Sequence, residues 1–233
     1  MTGTVKECLL CQPSDLTFWR GDNLAVLLDP APLVEGHALI YTSSHYPSAA
    51  DIPGDVAAEL DAVCDWLRVL YQKEFGAFTL FEHGRTGHCL RRSPEERICH
   101  HTHVHVVPLP GDLVGELTLG QRVGWRLWSD VARLADEIDG YVAVETATSG
   151  RYFYPVTRTL APHFLRTRAA HLAGDPGRAD WEQSVGWPSS RNMVTSARAR
   201  LDGLLASAGQ PGTTAATGRS DVTGQSDVDS AAS

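Results

Sequence analysis

The chain has 233 residues, 42% of them hydrophobic and 21% charged, a composition able to bury one sizeable core with an appended lobe. Its 28 acidic residues outnumber 20 basic ones, for a formal charge of -8, so net charge offers no attraction to a nucleic-acid polymer and none is expected as partner. No apolar run reaches the ~20 residues that span a bilayer, and Met1 to Lys6 is polar without a leader pattern, which predicts a soluble, cytoplasmic protein with no membrane partner.

The chain divides into a core at 1–110, an extension of helices and strands at 111–205 and a tail at 206–233. Cys8 and Cys11, two of five cysteines, open the core as Cys-x-x-Cys; in a reducing compartment that spacing reads as metal binding or redox chemistry before a structural disulfide. Leu16–Arg20 and Leu24–Leu28 read as strands around Gly21-Asp22-Asn23, which is hairpin turn chemistry. His37–Thr42 reads as a third strand. Val56, Leu60, Val63, Leu67, Leu70 and Tyr71 form one stripe of a helix over Asp55–Phe75. Cys64 falls on its core face. Phe78–Glu82 and Thr102–Val107 complete the strands of the core. Hairpin-joined strands with one inserted helix predict an α+β fold on an antiparallel sheet, followed by a C-terminal α/β extension.

In the extension, Val123, Leu127, Val131, Leu134 and Ile138 predict a helix ending at Asp139-Gly140. Tyr141–Thr146 and Tyr152–Val156 predict strands around Thr148-Ser149-Gly150. Pro162–Ala173 has Pro in its first turn and Gly174 after its end, which predicts a helix. Ser189 or Ser190 is the expected cap of a last helix carrying Val194, Ala197, Leu201 and Leu204. The tail holds Gly, Ser, Thr, Ala and Asp with Val222 and Val228 as its large apolar residues. It cannot bury enough surface to offset ordering, which predicts disorder.

The segment richest in chemistry is His100-His101-Thr102-His103-Val104-His105-Val106-Val107-Pro108. On a strand, His101, His103 and His105 share one face, ~6.6 Å apart along the chain, and Thr102, Val104 and Val106 share the other. Spacing alone leaves three uses open: a metal site, a polar groove, or phosphate chemistry.

This segment resembles the signature of the histidine triad (HIT) family, His-φ-His-φ-His-φ-φ with φ apolar, Thr102 being a departure at the first gap. Asp29-Pro30-Ala31-Pro32-Leu33-Val34-Glu35-Gly36-His37-Ala38-Leu39-Ile40 resembles the family's earlier segment, an Asp eight residues before a His that opens an apolar strand. His45 follows at the family's place, and Cys8-Leu9-Leu10-Cys11 resembles the N-terminal pair of zinc-bearing members. The resemblance covers roughly residues 5 to 110.

The resemblance implies a nucleotide hydrolase or nucleotidyltransferase that attacks the α-phosphate of a nucleotide derivative and forms a nucleotidyl-histidine. His103 is the implied nucleophile. An imidazole of ordinary pKa, ~6.5, is neutral at pH 7, and attack by it splits one hard displacement into two easier ones. His105 is implied to steady charge developing on the phosphate, with His37 behind it. Asp29 is implied to accept from ribose hydroxyls; a turn residue before Pro30 is the other reading. Cys8, Cys11, His45 and His101 are the implied ligands of a structural zinc, two thiolates and two imidazoles making a closed tetrahedral set. The implied assembly is a homodimer joined through helix and sheet edge, with Trp66 and Tyr71 as interface residues unless they pack on the sheet.

The stretch Gly84–His100 departs from the pattern. It lacks the Gln and Ser that precede the triad in many members, and it carries Arg85, Arg91, Arg92 and Arg97. Arg91 and Arg92 are candidate substrate-binding residues, able to hold phosphate or a charged leaving group bidentately; a solvated loop is the alternative. His88, Cys89, Cys99 and His100 form a rival metal set with no common spacing. Arg151, Tyr152, Arg158, His163, Arg166 and Arg168 either face the site or line a dimer surface. Hydrolysis is favoured, because transferases usually carry Gln at the third position, where this chain has His105. Transfer or phosphorolysis with a phosphate or sugar-phosphate acceptor is the alternative. A non-catalytic, zinc-stabilised nucleotide-binding protein is the second alternative, ahead of a plain zinc interaction module.

Overall fold

The computed structural model describes residues 9–12, 14–85, 101–136, 138, 140–158, 160–161 and 163–206. Its centre is an antiparallel sheet in the order β1-β2-β3-β5-β4-β7-β8-β6. The strands are β1 (Thr17–Arg20), β2 (Leu24–Leu28), β3 (Ala38–Thr42), β4 (Thr79–Glu82), β5 (His103–Val107), β6 (Val123–Gly124), β7 (Tyr141–Thr146) and β8 (Gly150–Pro155). The helices are α1 (Gly54–Phe75), α2 (Trp128–Leu134), α3 (Phe164–Leu172), α4 (Trp181–Ser184) and α5 (Pro188–Leu205). The fold is α+β, as the alternation of short strands and one long periodic helix predicts. No helix among the described residues is long and apolar enough to cross a membrane.

Period-two alternation sorts each strand between two faces. Leu24, Val26, Leu28, Ala38, Ile40, Leu80, Val104, Val106, Tyr141 and Ala143 turn to one side. The stripe of α1 covers them, joined by Trp128 and Val131 of α2 and Ala197 and Leu201 of α5. The other face carries two separate apolar clusters. Ala25, Leu27, Leu39 and Tyr41 form one. Phe81, Val107, Val142, Val144 and Tyr154 form the other, under Leu165, Ala169 and Ala170 of α3. The histidines of β5 emerge on this face between the two clusters.

The 111–205 segment continues the same sheet. β7 pairs along β4, from Thr79↔Thr146 to Glu82↔Ala143, and β8 pairs with β7. The outer edge of β4 is therefore filled by the chain itself. Gly84 follows β4 and lies so close to Tyr141 that a Cβ there would stand 1.9 Å from the ring.

Several expectations are corrected. The helix predicted from Val123 begins at Trp128, while Val123 and Gly124 pair with Phe153 and Tyr152 of β8. Asp130 sets that start, accepting from the N–H groups of Arg126 and Leu127 at 3.0 Å each. The helix ends at Leu134, before the predicted stop; Asp139 of that stop lies outside the described residues. The last helix starts on Pro188, which needs no N–H partner. Ser189 and Ser190 do not cap it; both hydroxyls accept from the Arg178 guanidinium. Tyr71, expected at an interface, is fully buried and donates to the Gly36 carbonyl at 2.7 Å. Trp66 packs on Trp19, ring centroids 6.0 Å apart. Cys64 is buried in the core as expected, its thiol pushed up to about 12 by desolvation. The tail from residue 207 lies outside the described residues.

Candidate active site and metal cluster

β5 is hydrogen-bonded on both sides, Tyr41↔His103 and Leu39↔His105 toward β3, Phe81↔His105 toward β4. A strand held on both edges presents its alternate side chains at fixed positions. His103 and His105 therefore stand side by side, ring centroids 5.1 Å apart. Phe81 stacks on the His105 ring at 4.5 Å.

The backbone decides which nitrogens carry protons. His103 Nδ1 lies 3.0 Å from the carbonyl of His101. A carbonyl only accepts, so Nδ1 carries the proton and Nε2 keeps its lone pair. The Leu33 N–H lies 3.1 Å from His37 Nδ1. An N–H only donates, so His37 Nδ1 is the unprotonated nitrogen and Nε2 bears the hydrogen. His37 Nε2 lies 2.9 Å from His105 Nδ1. It donates there, and the remaining proton of His105 sits on Nε2. The chain thus runs in one direction, from Leu33 through His37 to His105.

Burial favours the neutral form of both rings. His37 is 1% exposed, and desolvation lowers its pKa to about 4 against the opposing pull of Asp29. Burial also holds His105 well below the usual imidazole range. Asp29 Oδ2 stands 3.4 Å from His37 Nδ1, a spacing that would suit an ion pair. We read no ion pair there, because Leu33 occupies the Nδ1 lone pair and the Asp29 charge is met elsewhere. Arg166 of α3 donates through Nη1 to Asp29 Oδ2 at 3.2 Å, and the Ala31 N–H donates to Asp29 Oδ1 at 2.7 Å. Asp29 is 5% exposed.

A second cluster lies at the start of the triad. Cys11 Sγ is 2.6 Å from His45 Nε2 and 3.6 Å from His101 Nδ1. The donor atoms of Cys11, His45 and His101 all lie within 4.8 Å of one another. His101 Nε2 meets the carbonyl of Thr42 and so carries the proton, which turns the Nδ1 lone pair toward Cys11. A carbonyl holding the far nitrogen of an imidazole is the usual support of a metal-ligating histidine. One soft sulfur and two imidazoles suit zinc, whose tetrahedral structural sites take four ligands. Cys8, the fourth candidate, lies outside the described residues, as do Arg91 and Arg92 and the rival set His88, Cys89, Cys99 and His100.

Of the extension residues considered for the site, Arg166 reaches it, across 137 positions of sequence. Arg151 instead joins Glu145, at 2.8 Å. Two further residues support the site from positions that carry no motif. Arg178 is 3% exposed and donates to the Pro32 carbonyl at 3.0 Å. His83 Nε2 accepts the Leu165 N–H at 2.8 Å, tying the end of β4 to α3. Nothing in spacing or periodicity marks either one.

No protein-family model matches the chain. Among curated proteins it is similar to CWF19-like protein 1 of Xenopus laevis, 27% identical over 176 residues, which are 70% of this chain and 30% of that protein. The chain thus spans about a third of the length of that relative. Among solved structures, it is similar to a hypothetical histidine triad nucleotide-binding protein from Sulfolobus tokodaii strain7, with 26% identity and a TM-score of 0.31 over 42% of this chain and 62% of that one. It is similar to a HIT family protein from Bacillus anthracis at 18% identity and a TM-score of 0.36, covering 47% and 77% of the two chains. For a zinc-bound histidine triad family protein from Mycobacterium smegmatis the values are 20% and 0.34, covering 47% and 80%.

Proposed function

We propose that the chain is a histidine triad enzyme that hydrolyses a nucleotide derivative at its α-phosphate, with His103 as nucleophile. The observation that carries this reading is the hydrogen bond from His103 Nδ1–H to the His101 carbonyl. It leaves Nε2 as a lone pair on a half-buried imidazole, the form that attacks phosphorus. In the first step the Nε2–P bond forms while the bond from phosphorus to the leaving group breaks, and the leaving group departs with the electron pair and takes up a proton. In the second step water attacks the nucleotidyl-histidine and gives up a proton to solvent, balancing the one the leaving group took from it; the N–P bond breaks, and His103 returns as the nucleoside monophosphate is released. The His105 Nε2–H supports this chemistry, as a fixed donor for charge growing on the phosphate oxygens. Asp29, with its carboxylate held in place, is the ribose ligand of the proposal, and Arg91 and Arg92 hold the leaving group.

Zinc fits the Cys11, His45 and His101 donor set, and Cys8 completes it. When bound, the metal supplies a structural cross-link between the N-terminal segment and the start of β5. The chain's own residues do the rest: the His101 carbonyl orients the nucleophile while the ring of the same residue serves as ligand.

The test is acid-free trapping during turnover of a panel of adenylated and guanylated substrates, with and without phosphate. Mass spectrometry is expected to find one nucleoside monophosphate on the peptide spanning His100 to Val107, stable to alkali and labile to acid. His103→Ala is expected to keep its fold and zinc and to lose activity by several orders of magnitude. His105→Ala is expected to cost less, on the order of 10²–10³-fold. Near wild-type turnover in His103→Ala would remove the covalent mechanism and leave the nucleotide-binding reading.

A further inference from the structure

The direction of the histidine chain has a specific physical problem. A carboxylate 3.4 Å from an imidazole nitrogen ordinarily pulls a proton onto that nitrogen. Were His37 Nδ1 to donate to Asp29, a neutral His37 would have a bare Nε2. His105 would then have to donate through Nδ1, and its own Nε2 would be a lone pair facing the phosphate. The chain would run backwards, with repulsion where the reaction needs a donor.

Among the described residues, the charged and titratable groups facing His37 are Asp29 just after β2, His103 and His105 on β5, and Arg166 on α3. Arg166 supplies the countercharge. Its Nη1 takes Asp29 Oδ2 at 3.2 Å, its Nη2 takes the Ala31 carbonyl, and its Nε takes the carbonyls of Arg178 and Ala179 at 3.2 Å each. Its side chain is 4% exposed. A guanidinium placed this way has all three of its nitrogens engaged, which fixes the plane of its fork. Arg178 fastens the same loop through the Pro32 carbonyl.

We propose that Arg166, from the extension, is a positioning residue for the triad: by neutralising Asp29 it keeps the His37 Nδ1 lone pair for Leu33 and so aims the His37 Nε2–H at His105. Its role in turnover rests on the reaction proposed above; its effect on the rings does not. The extension thereby sets the polarity of a site whose histidines all come from the 1–110 segment.

Imidazole nitrogens with and without hydrogen are distinguished by their ¹⁵N shifts, so long-range ¹H–¹⁵N spectra of the full, zinc-loaded chain read the proposal directly. In wild type, His37 Nδ1 and His105 Nδ1 are expected unprotonated and both Nε2 atoms protonated. Arg166→Gln is expected to place a proton on His37 Nδ1 and, where it folds, to lower turnover on the order of 10²-fold. Arg166→Lys, which keeps the charge, is expected to retain the wild-type pattern. Should Arg166→Gln not fold, the charge-balanced pair Asp29→Asn with Arg166→Gln takes its place, and the wild-type pattern is expected there too. A protonated His37 Nδ1 in wild type, an unchanged pattern in Arg166→Gln, or a proton on Nδ1 in either the Lys variant or the balanced pair overturns the proposal. Normal turnover in His103→Ala would overturn the reaction alone and leave the ring spectra as the judge of Arg166.

Discussion

At the scale of single residues, the site depends on imidazoles kept neutral by burial. His37 has its pKa lowered to about 4, below the ordinary ~6.5 it regains on unfolding. Above pH 6.5 both states are neutral and the stabilising difference is fully present. It is lost as pH falls from about 6.5 toward 4, by about 3 kcal/mol in all. Glu82 works in the opposite sense, since burial raises its carboxyl to about 7 and its stabilising difference is lost as pH rises through that range. The wild-type curve alone therefore mixes two signs. Urea denaturation of wild type and His37→Gln between pH 4 and 7.5 separates them: the wild-type advantage is expected to shrink on acidification. A pH-independent difference would show that His37 is not held neutral. The metal cluster makes a second claim at this scale. Protein purified without chelator is expected to carry about one zinc per chain, and Cys11→Ser to lose most of it along with thermal stability. Undiminished folding without metal would remove zinc from the account. The shared face of His101, His103 and His105 was legible because a strand's period of two puts alternate histidines together wherever the strand lies, whereas His37, His45 and Cys11 were marked only by the resemblance to the histidine triad signature. Asp29 was legible as a position, but its partner was not.

At the scale of elements, the β4 end shows how a close backbone approach is built. Gly84 faces the Tyr141 ring, and Tyr141 is pinned by donating to Glu82 Oε2 at 2.8 Å and accepting from Ala50 N–H at 3.0 Å. A methyl group at Gly84 cannot be accommodated by rotating that ring away. Gly84→Ala is expected to destabilise by about 1–3 kcal/mol, read as a lowered urea midpoint at unchanged slope. Gly54, with nothing within 4 Å of a built Cβ, is the control, and Gly54→Ala is expected to be neutral or stabilising. Equal effects at the two sites would argue against a ring-limited gap. The boundaries of β2, β7 and α1 followed from hydrophobic period. The start of α2 did not, because Val123 fits a helical stripe and a strand edge alike, and pairing with Phe153 selects the strand.

At the scale of the whole molecule, the filled edge of β4 bears on assembly. A dimer that continues the sheet needs a free edge. The two edges among the described strands are β1 and the two-residue β6. Arg198 of α5 already donates to the Asp15 carbonyl at 2.9 Å and toward that of Thr17 at 3.5 Å, beside β1. Multi-angle light scattering at micromolar concentration decides the assembly: twice the 25.3 kDa of one chain is the outcome expected for the homodimer and would place its interface away from β4, with the exposed Val69 of α1 as the first position to test, and the mass of one chain would remove it.

Local period and residue chemistry are enough to read the antiparallel strands of the core, the buried stripe of α1 and the shared face of His101, His103 and His105 from the chain; the sulfur–imidazole set comes only with the family resemblance. Tertiary structure alone decided what depends on groups far apart in the chain. β7 fills the edge of β4, Arg166 reaches Asp29 across 137 positions, and the backbone groups of Leu33, Thr42 and His101 assign the imidazole protons. The reason is physical: a side chain's period is written in its neighbours, whereas its charge balance and tautomer are set by whatever packing brings against it.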